Sequence, residues 1–329
     1  MKPLAERDSS GEETLPPRTP RVRSDRWSWR FVGTQLGRLR WQVQQVLKNA
    51  RPPVDLRNVT KDALEAYYRA PRSAGFVIDV NLDRMRTFGS LGFSCAPEGG
   101  SPFAKTLLAY EQGRCRTYQD SPLRRFYETW QPANLAETLL IVPAQAGDQL
   151  LGLPPIPWLV PWSGGADWER WIGQTRTQVA RRTRRLGDGY ALNRFCGPVS
   201  ERYGEMRLAS LLKVYRSIRG GGYRPASHIR ANLLVREGEC RVLISDGNHR
   251  AAALAAAGFD TIPVWVAGKD KYGPSVVWRG DVSSWPVVRS GLLAQDQALA
   301  IFDRIFDANS PLPAWDDSRR ESSVPPRSL

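Results

Sequence analysis

Cysteine is scarce in this chain: Cys95, Cys115, Cys196 and Cys240 are the only four, and no two form a C-x-x-C pair. That spacing excludes a disulfide scaffold and a zinc ribbon. Long apolar runs are also missing, and no window approaches the roughly 18 residues a membrane-spanning helix needs. The opening stretch MKPLAERDSSGEETLPPRTP carries no apolar run, so no secretory signal is expected. The thiols are then expected to be reduced and the protein cytoplasmic, at most peripheral to a membrane. Walker, Rossmann-glycine, H-x-H and HExxH motifs are absent, as is any internal repeat.

Lysine is rare as well, with seven residues against forty arginines, and the net charge is +14. A planar guanidinium suits phosphate and carboxylate better than an ammonium does. The excess predicts attraction to polyanions, although arginine richness can equally be a matter of composition. An apolar fraction of 41% and a charged fraction of 24% are those of a globular protein. The 329 residues suffice for two domains.

Composition divides the chain. Residues 1–25 and 309–329 are rich in Pro, Ser and charge and read as disordered tails. Residues 26–150 read as a largely helical, aromatic-rich region. Within it, 27–48 forms a basic amphipathic pattern that suits either a membrane surface or packing on its own domain. Helices are expected near 62–69, 122–130 and from Asn134, with a short strand over 75–80. Residues 151–190 hold a Pro/Trp linker and a helix bearing Arg176, Arg181, Arg182, Arg184 and Arg185, and the domain boundary is placed there.

The most legible region is 204–266. Leu208, Leu211, Leu212, Tyr215 and Ile218 form the stripe of a half-buried helix, stopped by Gly220-Gly-Gly. Strands follow over 229–235 and 240–245 around a Glu237-Gly-Glu turn, then Asp246-Gly-Asn-His-Arg, an alanine-rich helix over 251–257 and a strand over 261–266. A strand that turns through glycine into a helix N-terminus aims unpaired amides and a positive dipole end at one spot. His249 and Arg250 can add charge-assisted bonds to a phosphate there, and Asp246 can cap the helix, bind a metal or accept from a substrate hydroxyl. His228 reads as a surface residue and Cys240 as a small hydrophobe, while Tyr223 can line a pocket or finish a turn. Trp278, Trp285 and Phe302 are expected to pack a closing helix over 295–306.

The run DGNHRAAALAAAGFDTIPVWV, with its preceding helix and strands, resembles the nucleotide-binding box of the ParB/sulfiredoxin superfamily over roughly residues 200–268. The resemblance implies an α/β (α+β) fold: a small mixed-sheet domain over 191–308 preceded by the helical region. Asn248 stands where sulfiredoxins carry their catalytic cysteine, and no helix-turn-helix follows as in chromosome-partitioning ParB proteins. The box is most similar to the Asp-Gly-His-His-Arg of free-serine kinases. That branch implies a nucleotide-dependent enzyme, transferring phosphate to a small hydroxyl-bearing acceptor or hydrolysing a nucleotide. Gly247, Asn248, His249 and Arg250 would hold the phosphates, Asp246 a magnesium ion of a nucleoside di- or triphosphate, and Glu205 would be the base; catalytic roles fall to Glu205, Asp246 and His249. The alternative is a non-catalytic module binding nucleic acid or an anionic membrane surface through the basic segments.

Overall fold

The computed structural model describes residues 53–71, 74–164, 195–223, 228–268 and 274–310, with Gly173, Thr177 and Leu312, all within the compact unit 51–329. The segment 27–48 and the tail 1–25 lie outside the described residues, as do 176–185 apart from Thr177 and the tail from 309 apart from Asn309, Ser310 and Leu312. In chain order the elements are β1 (Val54–Asp55), α1 (Ala63–Arg69), β2 (Phe76–Asn81), β3 (Met85–Thr87) and β4 (Phe93–Ser94). Then come α2 (Pro102–Glu111), α3 (Pro122–Thr129), α4 (Glu201–Gly221), β5 (Ile229–Arg236), β6 (Glu239–Asp246) and α5 (Asn248–Ala256). β7 (Thr261–Val266), β8 (Val276–Trp278) and α6 (Gln295–Asp307) complete the set used below. Helix starts follow local chemistry. Asp62 accepts from the amides of Leu64 and Glu65, Ser121 from Arg124 and Ser200 from Tyr203.

The fold is mixed α+β, a single mixed sheet flanked by helices. Its order is β1-β2-β7-β5-β6-β3-β4, with β8 also paired to β5. One edge of β5 is shared: Ile229–Ala231 pair with β7 and Leu233–Val235 with β8. Asn232 lies at the fork, buried, and its amide donates to the Pro274 carbonyl at 2.9 Å. The sheet is strongly curled, for a simple reason. Three strands separate β2 from β3, so a flat sheet would hold them about 19 Å apart at about 4.8 Å per step. The connecting 3-10 turn has only three residues, Leu82–Arg84. At about 2 Å of rise each they cannot span that gap, and the two ends of the path must approach.

Both faces of the central strands are covered, so apolar residues run on without a polar side. Ile229, Ala231, Leu233, Val242, Ile244 and Val264 pack with α2–α5 in one cluster. Leu234, Leu243 and Val277 pack with α6 in a second. Ile156, Leu159, Val160 and Trp162 are buried in that second cluster, so the segment expected as a linker forms core instead. Trp162, Trp285 and Phe302 meet with ring centroids 5.4–5.7 Å apart, as a closing helix requires, whereas Trp278 packs against the first cluster. The sheet joins strands from both sides of residues 151–190, where a boundary is expected: β2 pairs β7 and β3 pairs β6.

Candidate functional site

The 246–250 turn stands where β6 ends. Gly247 has φ +105°, and a Cβ there would lie 2.9 Å from Arg250 Nη2 and 3.1 Å from Ile229 Cγ1. Only glycine meets both demands. Gly247 is itself the N-cap, so the helix begins at Asn248, three residues earlier than its alanines suggest, and Asp246 does not cap it. The first helical bonds run from the amides of Arg250 and Ala251 to the Gly247 carbonyl.

The three side chains of the turn diverge. Thr87 Oγ1 of β3 donates to Asn248 Oδ1, which ties the turn to the far end of the sheet path. The His249 ring stands edge-on to Phe103 of α2, 4.6 Å between centroids and 89° between planes. Arg250 folds back over Gly247, and its Nη2 lies 3.7 Å from Asp246 Oδ2. That carboxyl is two-thirds exposed, so the pair is loose and screened.

Glu205 is not brought to the turn; it sits on the exposed face of α4. Two residues on, about 200° further around the helix, Arg207 turns inward. Its guanidinium lies 5.3 Å over the Phe103 ring, on whose edge His249 stands. Among the described residues Arg207 Nε is buried with no hydrogen-bond partner. Glu205 and Arg207 border opposite sides of the buried stripe through Leu208, Leu211 and Leu212, so helical spacing does not tell them apart, and the structure puts Arg207 beside Phe103.

The other flank carries a cluster scattered in sequence. Asp55 binds Arg57 through two short contacts, 2.9 Å to Nε and 2.6 Å to Nη2, and this holds its carboxyl down at about 2. Burial pushes the Tyr223 hydroxyl above its ordinary value, partly offset by the charges of Arg250 and Arg57. Burial also pushes His228 below its ordinary value, and Arg57 and Arg250 reinforce this against Asp55. Among the described residues His228 Nδ1 is buried without a hydrogen-bond partner, and the buried Tyr223 Oη has the Ile229 backbone as its one hydrogen-bonding neighbour. His228 therefore faces inward among cations and is not a plain surface residue. Alongside, Arg230 lies 4.4 Å over the Trp265 ring, in the register that sets Arg230 against Asp246.

Compared with family models, curated proteins and solved structures, the chain matches none. The site is read from its own chemistry. Among the described residues no three His, Cys, Asp or Glu side chains come together to hold a metal ion. The magnesium nucleotide expected at Asp246 is therefore corrected: that carboxylate meets a guanidinium, not a second acid. A cavity of about 240 Å³ lies between α1, Gly75 and the end of β7, and a groove of about 800 Å³ lies between α1 and the β5–β6 hairpin. None of residues 246–250 lines either.

Proposed function

We propose that this chain is a binding module for a phosphorylated small molecule, seated at the N-terminus of α5 and held without metal. Arg250 supplies a guanidinium, Arg57 adds positive charge while its fork is held by Asp55, the turn supplies amides and the helix dipole, and His228 supplies a hydrogen bond. One observation carries the reading. His228 Nδ1 is buried and partnerless among the described residues beside Arg57, a state that costs free energy unless a ligand satisfies it. The resemblance of residues 200–268 to the ParB/sulfiredoxin box, and the finer fold it implies, support the same seat. Binding is favoured over phosphotransfer because Glu205 is exposed on α4 and no three metal donors come together among the described residues.

Sulfate, whose charge is constant near neutrality, is the cleanest probe, titrated calorimetrically in the presence of a chelator. Arg250→Ala is expected to weaken it about tenfold, equivalent to about 1.4 kcal/mol. His228 is held neutral by burial and by the two arginines; a bound anion favours its protonated form, so binding takes up a proton. Affinity should therefore rise as pH falls through about 6.5, the ordinary histidine value, and His228→Ala should flatten the dependence. Equal binding by the Arg250 variant, or no binding at all, overturns the assignment. A phosphorylated ligand that binds only with added magnesium would overturn it too.

A further inference from the structure

We propose that the open side of the curled sheet is a second ligand site, which takes a small amphipathic monoanion with an apolar body and one carboxylate or sulfonate. This does not rest on the phosphate reading. The groove holds about 800 Å³, within the range of small-molecule sites at roughly 300–1,000 Å³. It opens where the three-residue turn draws β2 toward β3, between the first turn of α1 and the hairpin residues that begin β6.

Its lining is more polar than apolar, with the apolar part confined to the floor. Val80, Cys240 and Val242 are buried there, and Leu64 packs against the same cluster. Burial pushes the Cys240 thiol up to about 12, with Asp62 adding to the rise and Arg241 and Arg84 opposing it, so the floor carries a neutral thiol. At the rim Asn81 and Thr261, both exposed, face each other in register across β2 and β7. They put an amide and a hydroxyl within reach of a polar headgroup.

Charge selects the ligand. Asp62 is committed to the amides of Leu64 and Glu65 at 2.7 and 3.0 Å. Lys61 Nζ lies 3.4 Å from Asp79 and donates to the Arg57 carbonyl at 2.9 Å. Arg241 pairs with Glu239 at 3.0 Å, donates to the Cys240 carbonyl and lies over the Phe306 ring. Arg84 alone among these groups is exposed and makes no hydrogen bond or ion pair among the described residues. One uncommitted cation above an apolar floor fits one negative charge on an apolar body. A second negative charge would have to approach Asp79 or Glu239, which disfavours a phosphate dianion here.

The test uses the full chain and 8-anilinonaphthalene-1-sulfonate, an aromatic body bearing a single sulfonate, followed by fluorescence and displaced with octanoate. Arg84→Ala removes the charge without breaking a contact, and Leu64→Asp repels the anion from the floor. Each is expected to weaken the probe at least fivefold. Arg289→Ala removes an exposed cation elsewhere and should leave it unchanged, as should saturating sulfate. Octanoate should displace the probe and octylamine should not. Equal loss in the Arg84 and Arg289 variants, unaltered binding in both groove variants, or displacement by octylamine each overturns the proposal. Retained probe binding with failed sulfate binding would remove the phosphate reading and leave this one standing.

Discussion

A single buried arginine does more for the fold than any charge at the surface. Arg86 of β3 is 5% exposed, and every interaction its guanidinium makes is with a carbonyl. Nε donates to Ile305 and Phe306 at 3.0 and 3.1 Å, Nη2 to Phe306 at 2.8 Å, and Nη1 to Met85 and Asp83. The Ile305 and Phe306 carbonyls lie in the last turn of α6, where unpaired acceptors and the negative dipole end favour a cation. Burial pushes the Arg86 pKa down, yet the carbonyl cage holds the charge. Arg86→Met keeps the stem but strands several buried acceptors, and a loss of about 3–5 kcal/mol is expected. A urea midpoint within error of the parent would refute that. In the linear chain Arg86 is one arginine of forty, and no spacing distinguishes it. Its role depends on a contact some 220 residues away. Arg207 was hidden for a related reason: amphipathic patterning finds apolar stripes, and a cation at the border of one looks like surface.

Helices and strands were far more legible. Strand 261–266 appears as the sequence predicts, and the hairpin around Glu237 and Gly238 pairs in the expected order. Local chemistry decides such elements: alternation, a turn glycine, a capping side chain. Gly204 shows where local reasoning stops. It sits in α4 because a Cβ would lie 2.0 Å from the Tyr118 ring, a demand from outside the helix. The docking of α6 is likewise tertiary. Asp303 accepts from Arg279 in a fork, Nε at 2.8 Å and Nη2 at 2.9 Å, and from Arg236 at 3.3 Å. Arg279 first, then Arg236, hold its carboxyl below the ordinary aspartate value. A depressed folded pKa means the contribution is complete above the unfolded value and disappears as pH falls through the folded one. Asp303→Asn should therefore cost about 1 kcal/mol near neutrality, and the two proteins should converge as the pH falls below the ordinary aspartate value, about 3.9. Acid-unfolding curves that stay parallel throughout would contradict this.

For the whole molecule, the decisive fact is which strands share a sheet. Residues 191–308 hold the helix, strands and turn that resemble a self-contained domain. In the structure β2 covers one side of β7 over six paired residues, and β3 covers β6. Phe88, Phe93 and Phe103 from the first half of the chain complete the cluster against which α5 lies. A chain cut down to 191–308 would bare two strand edges and half of that core. It is expected to show no cooperative thermal transition, whereas a chain starting at Arg51 should retain one. A sharp transition from the short fragment would show that the resembling region folds alone.

Neighbouring residues are enough to fix the local elements and one turn: where glycine must stand, which residues alternate, and where a helix N-terminus follows a strand. These depend on neighbours a few residues apart, and their chemistry is written in consecutive letters. Long-range packing is what gathers Arg57, Tyr223 and His228 beside Arg250, turns Arg207 rather than Glu205 toward Phe103, and sets Arg84 over the buried Val80, Cys240 and Val242. Those juxtapositions depend on the curl of a sheet whose strands come from both halves of the chain, and no local pattern encodes that distance.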